Sequence, residues 1–167
     1  MNPAHVHLAL NHIPVVGTLL GIGVLAYAFY TKSEEIKKFS FIFFVAVTLF
    51  SFPAFFSGEP AEERIERMAG VEEKYIEEHE EAAEAAFIAI LLLGAIAGAG
   101  LFNQKNRGTI PSWSMNGVVA MSIITLLLMG RASSLGGEIR HPEIRSGQSS
   151  VMPSMTHEEH ERMEHQH

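Results

Sequence analysis

Four long apolar stretches dominate this chain and leave it few ways to fold. A membrane-spanning helix needs about 20 largely apolar residues, and these stretches approach that length without a single Lys or Arg. Glu84 is the only carboxylate inside them, whereas a soluble four-helix bundle would carry charged outer faces. We therefore predict an all-α fold, an integral membrane four-helix bundle. The apolar stretches cover residues 13–30, 39–56, 82–102 and 115–130.

Domain organisation follows from the same stretches. We predict one transmembrane domain over residues 1–145 and a flexible His-, Met- and Glu-rich tail over residues 146–167. Within the tail, His157 and His160 could alternatively share a weak Zn or Cu site if that segment were helical. The predicted spans lie at about residues 8–30, 39–56, 82–102 and 114–131.

The positions of Lys and Arg predict the orientation of the bundle in the membrane. Basic residues cluster after the first and third spans, which places those loops in the cytoplasm. Both termini and the acidic loop 57–81 then lie on the periplasmic side of a bacterial inner membrane. Arg64 and Arg67 are exceptions, because they are basic residues in the periplasmic loop. The cytoplasmic basic residues are Lys32, Lys37, Lys38, Lys105 and Arg107.

A cleaved signal peptide is the competing interpretation of the first 30 residues. Ala26-Tyr27-Ala28 resembles a cleavage site. However, no Lys or Arg precedes the apolar run, and the basic cluster follows it. We expect an uncleaved helix.

Composition limits the chemistry that the chain can perform. With no Cys, it has no disulfides, thiolate ligands, iron–sulfur clusters or covalently attached haem. Its formal net charge of -7 comes mainly from Glu, which makes nucleic acid an unsuitable partner. No nucleophile arrangement, phosphate loop or nucleotide motif is present, so we expect an electron-transfer or accessory membrane protein rather than a stand-alone enzyme.

Histidines are segregated to one side of the predicted topology. An imidazole at membrane depth is costly without a partner, so converging imidazoles there indicate a haem or metal site. All nine fall on the predicted periplasmic side: His5, His7, His12, His79, His141, His157, His160, His165 and His167.

The first span opens with three of these histidines. His5 and His12 are seven residues apart and share a helix face, whereas His7 points elsewhere. Pro14 either opens the span or kinks it near His12. The alternative is that His5 and His7 are interfacial side chains at the level of the lipid headgroups. Small residues then recur about one turn apart and predict close helix packing: Gly17, Gly21 and Gly23.

Two further polar segments are predicted to meet these histidines. Ser57 is expected to cap a short acidic helix, and Glu59 beside it is a candidate partner for a His or for Arg131. His79 lies about one turn outside the third apolar run and is predicted to reach toward His12. A solvated charged helix with one incidental His is the alternative for this segment.

The last polar segment follows the fourth span, which is predicted to end near Arg131. Gly136 and Gly137 predict a turn that folds Arg140 and His141 back over the helix ends. The two arginines suit carboxylate recognition, including haem propionates, and equally suit ion pairs with the acidic loop.

Several short motifs together resemble membrane proteins of the DUF2231 type. They are His-x-x-x-x-His-Ile-Pro at the first span, Ser-Gly-Glu-Pro-Ala-Glu-Glu after the second, His-Glu before the third and Leu-Gly-Gly-Glu-Ile-Arg-His after the fourth. The resemblance covers residues 1–145 and implies a four-helix bacterial membrane domain. The general plan is also similar to that of small bis-histidine b-type cytochromes, but without paired His at both membrane faces a two-haem electron path is disfavoured.

The leading hypothesis is an inner-membrane protein that binds one haem b near the periplasmic face. His12 and His79 are the predicted axial ligands, with His141 or His5 as substitutes. Arg131 or Arg140 would neutralise propionates. Two imidazoles leave no open coordination position, which suits electron transfer. The expected partner is a quinol-oxidising or other respiratory complex, or a periplasmic electron carrier.

Two alternatives stay open on the sequence. One is a Zn, Fe or Mn site built from His5 or His12 together with other imidazole and carboxylate ligands. Those further ligands would be Glu59, His79 and His141. The other is a cofactor-free structural subunit of a larger membrane complex or a homo-oligomer, which packs through its glycine-rich faces.

Overall fold

A computed structural model describes residues 3–66 and 73–141 of the chain. Every regular element in these two ranges is an α-helix, which confirms the all-α prediction. The tail histidines and Arg67 lie outside the described residues. The helices are α1 Pro3–Leu10, α2 His12–Thr31, α3 Glu34–Phe56, α4 Gly58–Glu66, α5 Glu73–Arg107 and α6 Ser112–Arg140.

Four helical segments are long and apolar enough to cross a membrane. Two of them combine adjacent helices, α1 with α2 and α3 with most of α4, while α5 and α6 each form one segment. Large apolar side chains such as Leu127, which is 70% exposed, cover the outside of the bundle. An apolar exterior of this kind is compatible with contact with lipid.

Prolines explain the two places where a spanning segment is interrupted. α1 and α2 are separated by Asn11 alone, and α3 and α4 by Ser57 alone, each three residues before a proline. Pro14 and Pro60 have no N–H to donate to the carbonyl four residues earlier, so the helical hydrogen-bond pattern is broken there. The prediction that Pro14 opens or kinks the first span is thus confirmed.

The long helices run alternately up and down. α2 packs on α3, α3 on α5, and α5 on α6, while α1 packs on α4 at one end. The junctions α2–α3 and α5–α6 lie at the opposite end and carry the basic residues of the two short loops. The end formed by α1, α4 and the beginning of α5 is rich in Glu.

Glycines set the close approach of α2 to α3, as predicted. A Cβ at Gly17 would lie 2.8 Å from Cγ2 of Val47, and one at Gly21 would lie 2.6 Å from Cε1 of Phe44. Both larger side chains are almost fully buried against these glycines. Gly23 differs, because a Cβ there would meet nothing within 4 Å.

The fourth long helix is longer than its apolar run. The prediction of a turn at Gly136 and Gly137 is wrong, because α6 continues through both residues to Arg140 and ends where the His141 N–H donates to the Gly137 carbonyl at 3.1 Å. Glycine tolerates a helix where its missing side chain makes room for a neighbour, and at Gly136 that neighbour is the ring of His79.

Candidate functional site

Two histidines from different helices lie at the Glu-rich end of the bundle. His7 on α1 and His79 on α5 are both partly buried. Each ring makes a hydrogen bond through its Nδ1 to a residue outside its own helix. This is the end of the bundle at which the predicted topology places the histidines.

His7 is held against the junction between α3 and α4. Its Nδ1 lies 3.1 Å from Oγ of Ser57, and its Cε1 would lie 3.7 Å from a Cβ placed on Gly58. The Ser57 hydroxyl in turn donates to the carbonyl of Ala54 at 2.8 Å. The His7 ring of α1 is thus linked through the Ser57 hydroxyl to the last turn of α3.

His79 is held by α6. Its Nδ1 donates to the carbonyl of Ala132 at 2.9 Å. Its ring lies over Gly136, where a Cβ would come within 3.1 Å of Cε1 and 3.2 Å of Nδ1. Any larger residue at position 136 would press on the ring, so the glycine that failed to form a turn has a packing role.

These contacts fix which nitrogen of each ring is available. A carbonyl oxygen can only accept, so Nδ1 of His79 carries the proton and Nε2 of the neutral ring has the lone pair. Ser57 donates its single hydroxyl hydrogen to the Ala54 carbonyl. The contact with His7 is therefore a hydrogen bond from Nδ1–H to Oγ of Ser57, and the lone pair of the neutral His7 ring is on Nε2. Metal-binding histidines are usually oriented in this way by a hydrogen bond to the other ring nitrogen.

The sequence hypothesis paired His79 with His12, and in the structure the hydrogen bond of His12 lies within its own spanning segment. His12 is exposed, and its Nδ1 donates to the Leu8 carbonyl at 2.7 Å, one turn back along its own segment. His5 is exposed as well. His7, whose ring the sequence placed on another helix face, is the partly buried histidine of α1.

The remaining candidate residues lie around the same end of the bundle. Glu59, Arg131 and His141 are exposed. Arg140 is the last residue of α6, and its side chain is outside the described part of the structure. Across residues 3–66 and 73–141, no three His or Glu side chains converge in a way that could hold a metal ion.

Ser57 also differs from its predicted role. It does precede α4, but its hydroxyl donates back to α3 and contacts His7. Ser57 has helical backbone angles (φ -83°, ψ -6°) rather than the extended angles of a capping residue. Pro60, the third residue of α4, also lacks one of the two N–H groups that a capping side chain can accept, and this proline was visible in the sequence.

Comparison with known proteins adds no relative. No family model, curated protein or solved structure matches the chain. The case for function therefore comes from the geometry of His7 and His79.

Proposed function

We propose that this chain is a membrane electron-transfer protein or subunit that binds one haem b through Nε2 of His7 and Nε2 of His79. The observation that carries the proposal is the presence of two partly buried imidazoles, from α1 and α5, at the same end of the bundle, each hydrogen-bonded through Nδ1. The proposal keeps His79 from the sequence hypothesis and replaces His12 with His7.

The number of partly buried imidazoles favours haem over a bare divalent ion. A porphyrin would supply most of the ligands of its iron, so the protein would need to contribute only two. Protein sites for Zn usually use three or four protein ligands, and the described residues contain no group of three His or Glu side chains that would suit one. A pair of imidazoles is thus sufficient for haem and short of a Zn site.

The chemistry of such a site is electron transfer. When bound, the haem would supply a single-electron couple, and His7 and His79 would hold it. The role of the chain is to orient both imidazoles through their Nδ1 hydrogen bonds, so that the lone pair is on Nε2. Arg131, exposed late in α6, is the residue that we assign to a propionate.

The location of the protein, its orientation in the membrane and its partner are part of the same proposal. The basic loops at one end and the Glu-rich surface at the other support an orientation with the histidine end in the periplasm of a bacterial inner membrane. The partner would then be a quinol-oxidising or other respiratory complex, or a periplasmic electron carrier. Membership of the DUF2231 type is part of this proposal and rests on the sequence motifs alone.

The test is a spectrum combined with elemental analysis. The full chain is expressed in membranes with adequate haem supply, purified in mild detergent, and recorded oxidised and after dithionite. We expect a sharp α band on reduction, reversal on reoxidation and about one iron per chain. Stoichiometric Zn or Mn without haem absorbance, or no cofactor at all, would refute the proposal, the first in favour of a His/Glu metal site and the second in favour of a packing subunit.

A further inference from the structure

Ser57 makes a contact between the two interrupted spanning segments, the one formed by α1 and α2 and the one formed by α3 and α4. It is the single residue between α3 and α4, and it contacts the only histidine of α1 that is partly buried. The hydroxyl lies within hydrogen-bonding distance of two groups, the Ala54 carbonyl oxygen at 2.8 Å and Nδ1 of His7 at 3.1 Å.

The direction of these two hydrogen bonds follows from the groups involved. The Ala54 carbonyl has no hydrogen, so the shorter contact takes the single hydroxyl hydrogen of Ser57. The longer contact then requires a hydrogen on Nδ1 of His7.

The two histidines are thus oriented by different means. His79 donates to a backbone carbonyl of α6, which no side-chain substitution at that position removes. His7 donates to a side chain, so its orientation depends on the identity of residue 57. A free histidine side chain exchanges between tautomers, and only the Nδ1–H form leaves Nε2 able to bind a metal.

We infer that Ser57 is the positioning residue of the site: its hydroxyl keeps His7 in the tautomer whose lone pair is on Nε2. The use of this tautomer in haem binding rests on the proposed function. The preference of His7 for the Nδ1–H form does not, because it exists in the protein without haem. Groups that orient a metal-binding histidine from behind typically change metal affinity by roughly 10- to 100-fold when they are removed.

The first experiment reads the tautomer directly. NMR of the haem-free full chain, labelled with ¹⁵N in the histidine rings and held in detergent micelles, separates Nδ1–H from Nε2–H rings, and His7→Gln identifies the signals of His7. We expect His7 to be mainly Nδ1–H in the wild type and to shift toward Nε2–H in Ser57→Ala. Ser57→Thr keeps a hydroxyl and should restore the Nδ1–H form.

A matched control is available on the same helix. Ser51 is 3% exposed, and its hydroxyl donates to the Thr48 carbonyl at 2.7 Å, the same three-residue hydrogen bond that Ser57 makes. Within residues 3–66 and 73–141, no histidine is hydrogen-bonded to Ser51. Ser51→Ala should leave the His7 signals unchanged. An unaltered His7 tautomer in Ser57→Ala, or an equal change in Ser51→Ala, would overturn the inference.

Haemin titration of the same variants separates this inference from the proposed function. We expect Ser57→Ala to bind haemin about 10-fold or more weakly than the wild type, with recovery in Ser57→Thr. If no variant and not even the wild type binds haemin, the proposed function fails while the tautomer result still decides the role of Ser57. If the tautomer shifts and haemin affinity does not, Ser57 orients the ring without serving the site, and the inference fails.

Discussion

His79 shows how one side chain of this protein is fixed by the backbone of another helix. The Ala132 carbonyl receives its Nδ1–H, and Gly136 provides the space in which the ring lies. These two positions are four residues apart on α6, so they lie on the same helix face. The orientation of His79 therefore depends on the continuation of α6 beyond its apolar run.

A methyl group at Gly136 tests this dependence. The new Cβ in Gly136→Ala would lie 3.1 Å from Cε1 of His79, which is too close for ordinary contact, so the ring has to move. We expect the haemin affinity of the variant to fall by about 10-fold, as for loss of an orienting contact. Haemin titration followed by absorbance measures it.

The control for Gly136→Ala lies six residues earlier on the same helix. Gly130 is exposed, and a Cβ there would meet nothing within 4 Å. Gly130→Ala should bind haemin as the wild type does and should be as stable or more stable, by up to about 1 kcal/mol, because alanine favours a helix. Equal haemin affinity in both variants would contradict the packing role of Gly136.

At the residue scale, the sequence predicts the position of the histidines in the bundle but not which of them is buried. Their presence at one end of a helical bundle followed from the apolar runs and could be predicted. The choice among His5, His7 and His12 could not, because it depends on which side of α1 faces the α3–α4 junction. Helix periodicity separates the faces of a helix but does not say which face is buried.

At the scale of elements, the contact between α2 and α3 depends on glycines of α2 that have no side chain to keep α3 away. Gly17 and Gly21 let Val47 and Phe44 of α3 approach the backbone of α2. In a membrane the apolar side chains gain little by leaving lipid, so this close packing is a main source of helix association.

Gly21→Ala tests the packing between these two helices. Its Cβ would lie 2.6 Å from the Phe44 ring, whose side chain is completely buried and has little room to move. Overpacking of this kind costs about 1–3 kcal/mol, which exceeds the helix propensity that alanine gains. We expect a lower free energy of unfolding in detergent, measured by circular dichroism.

Gly23→Ala is the matched variant two residues further along α2. It is exposed and its Cβ would contact nothing within 4 Å, so we expect unchanged or slightly raised stability. Destabilisation of both variants to the same extent would show that the glycines act through backbone flexibility rather than through packing.

A second test at this scale concerns the hydrogen bond between α3 and α5. Thr48 Oγ1 lies 3.0 Å from the Ile90 carbonyl oxygen as well as 2.9 Å from that of Phe44 in its own helix. Thr48→Val keeps the shape and removes the hydroxyl. Interhelical hydrogen bonds in membranes contribute about 0.6 kcal/mol on average, so we expect a loss of that order in the free energy of unfolding.

Thr31→Val is the control for Thr48→Val. Thr31 is exposed, and its hydroxyl donates within α2 to the Tyr27 carbonyl at 2.9 Å. Its replacement should leave the packing of the helices unchanged. A loss in Thr31→Val as large as that in Thr48→Val would refute an interhelical contribution from Thr48.

The elements themselves were predictable to different degrees. Four apolar helices followed directly from hydropathy, because each apolar run approaches the length that spans a membrane. The extension of α6 to Arg140 was missed, because Gly136 and Gly137 resemble a turn when the ring that covers Gly136 is not known. The interruptions at Asn11 and Ser57 were readable in principle, since each lies three residues before a proline.

At the scale of the whole molecule, charge is divided between the two ends of the bundle. The end with the short loops carries Lys32, Lys38 and Arg107 among its basic residues, and the histidine end is rich in Glu. The positive-inside rule then predicts which end faces the cytoplasm.

Single cysteines test the orientation without any background, because the chain has none of its own. Lys38→Cys and Glu77→Cys place exposed thiols at the two ends of the bundle. In intact bacterial cells a membrane-impermeant maleimide should label Glu77→Cys and leave Lys38→Cys unlabelled until the cells are opened. The reverse pattern would place the histidine end in the cytoplasm.

The central claim is that His7 and His79 together hold the haem, and the most direct test compares their variants with the exposed His12. Haem per chain is measured from the reduced absorbance spectrum for His7→Gln, His79→Gln and His12→Gln, with helix content checked by circular dichroism. We expect the first two to lose most of their haem and His12→Gln to retain it. Loss of haem in His12→Gln together with its retention in His7→Gln would contradict the account and restore the pairing of His12 with His79.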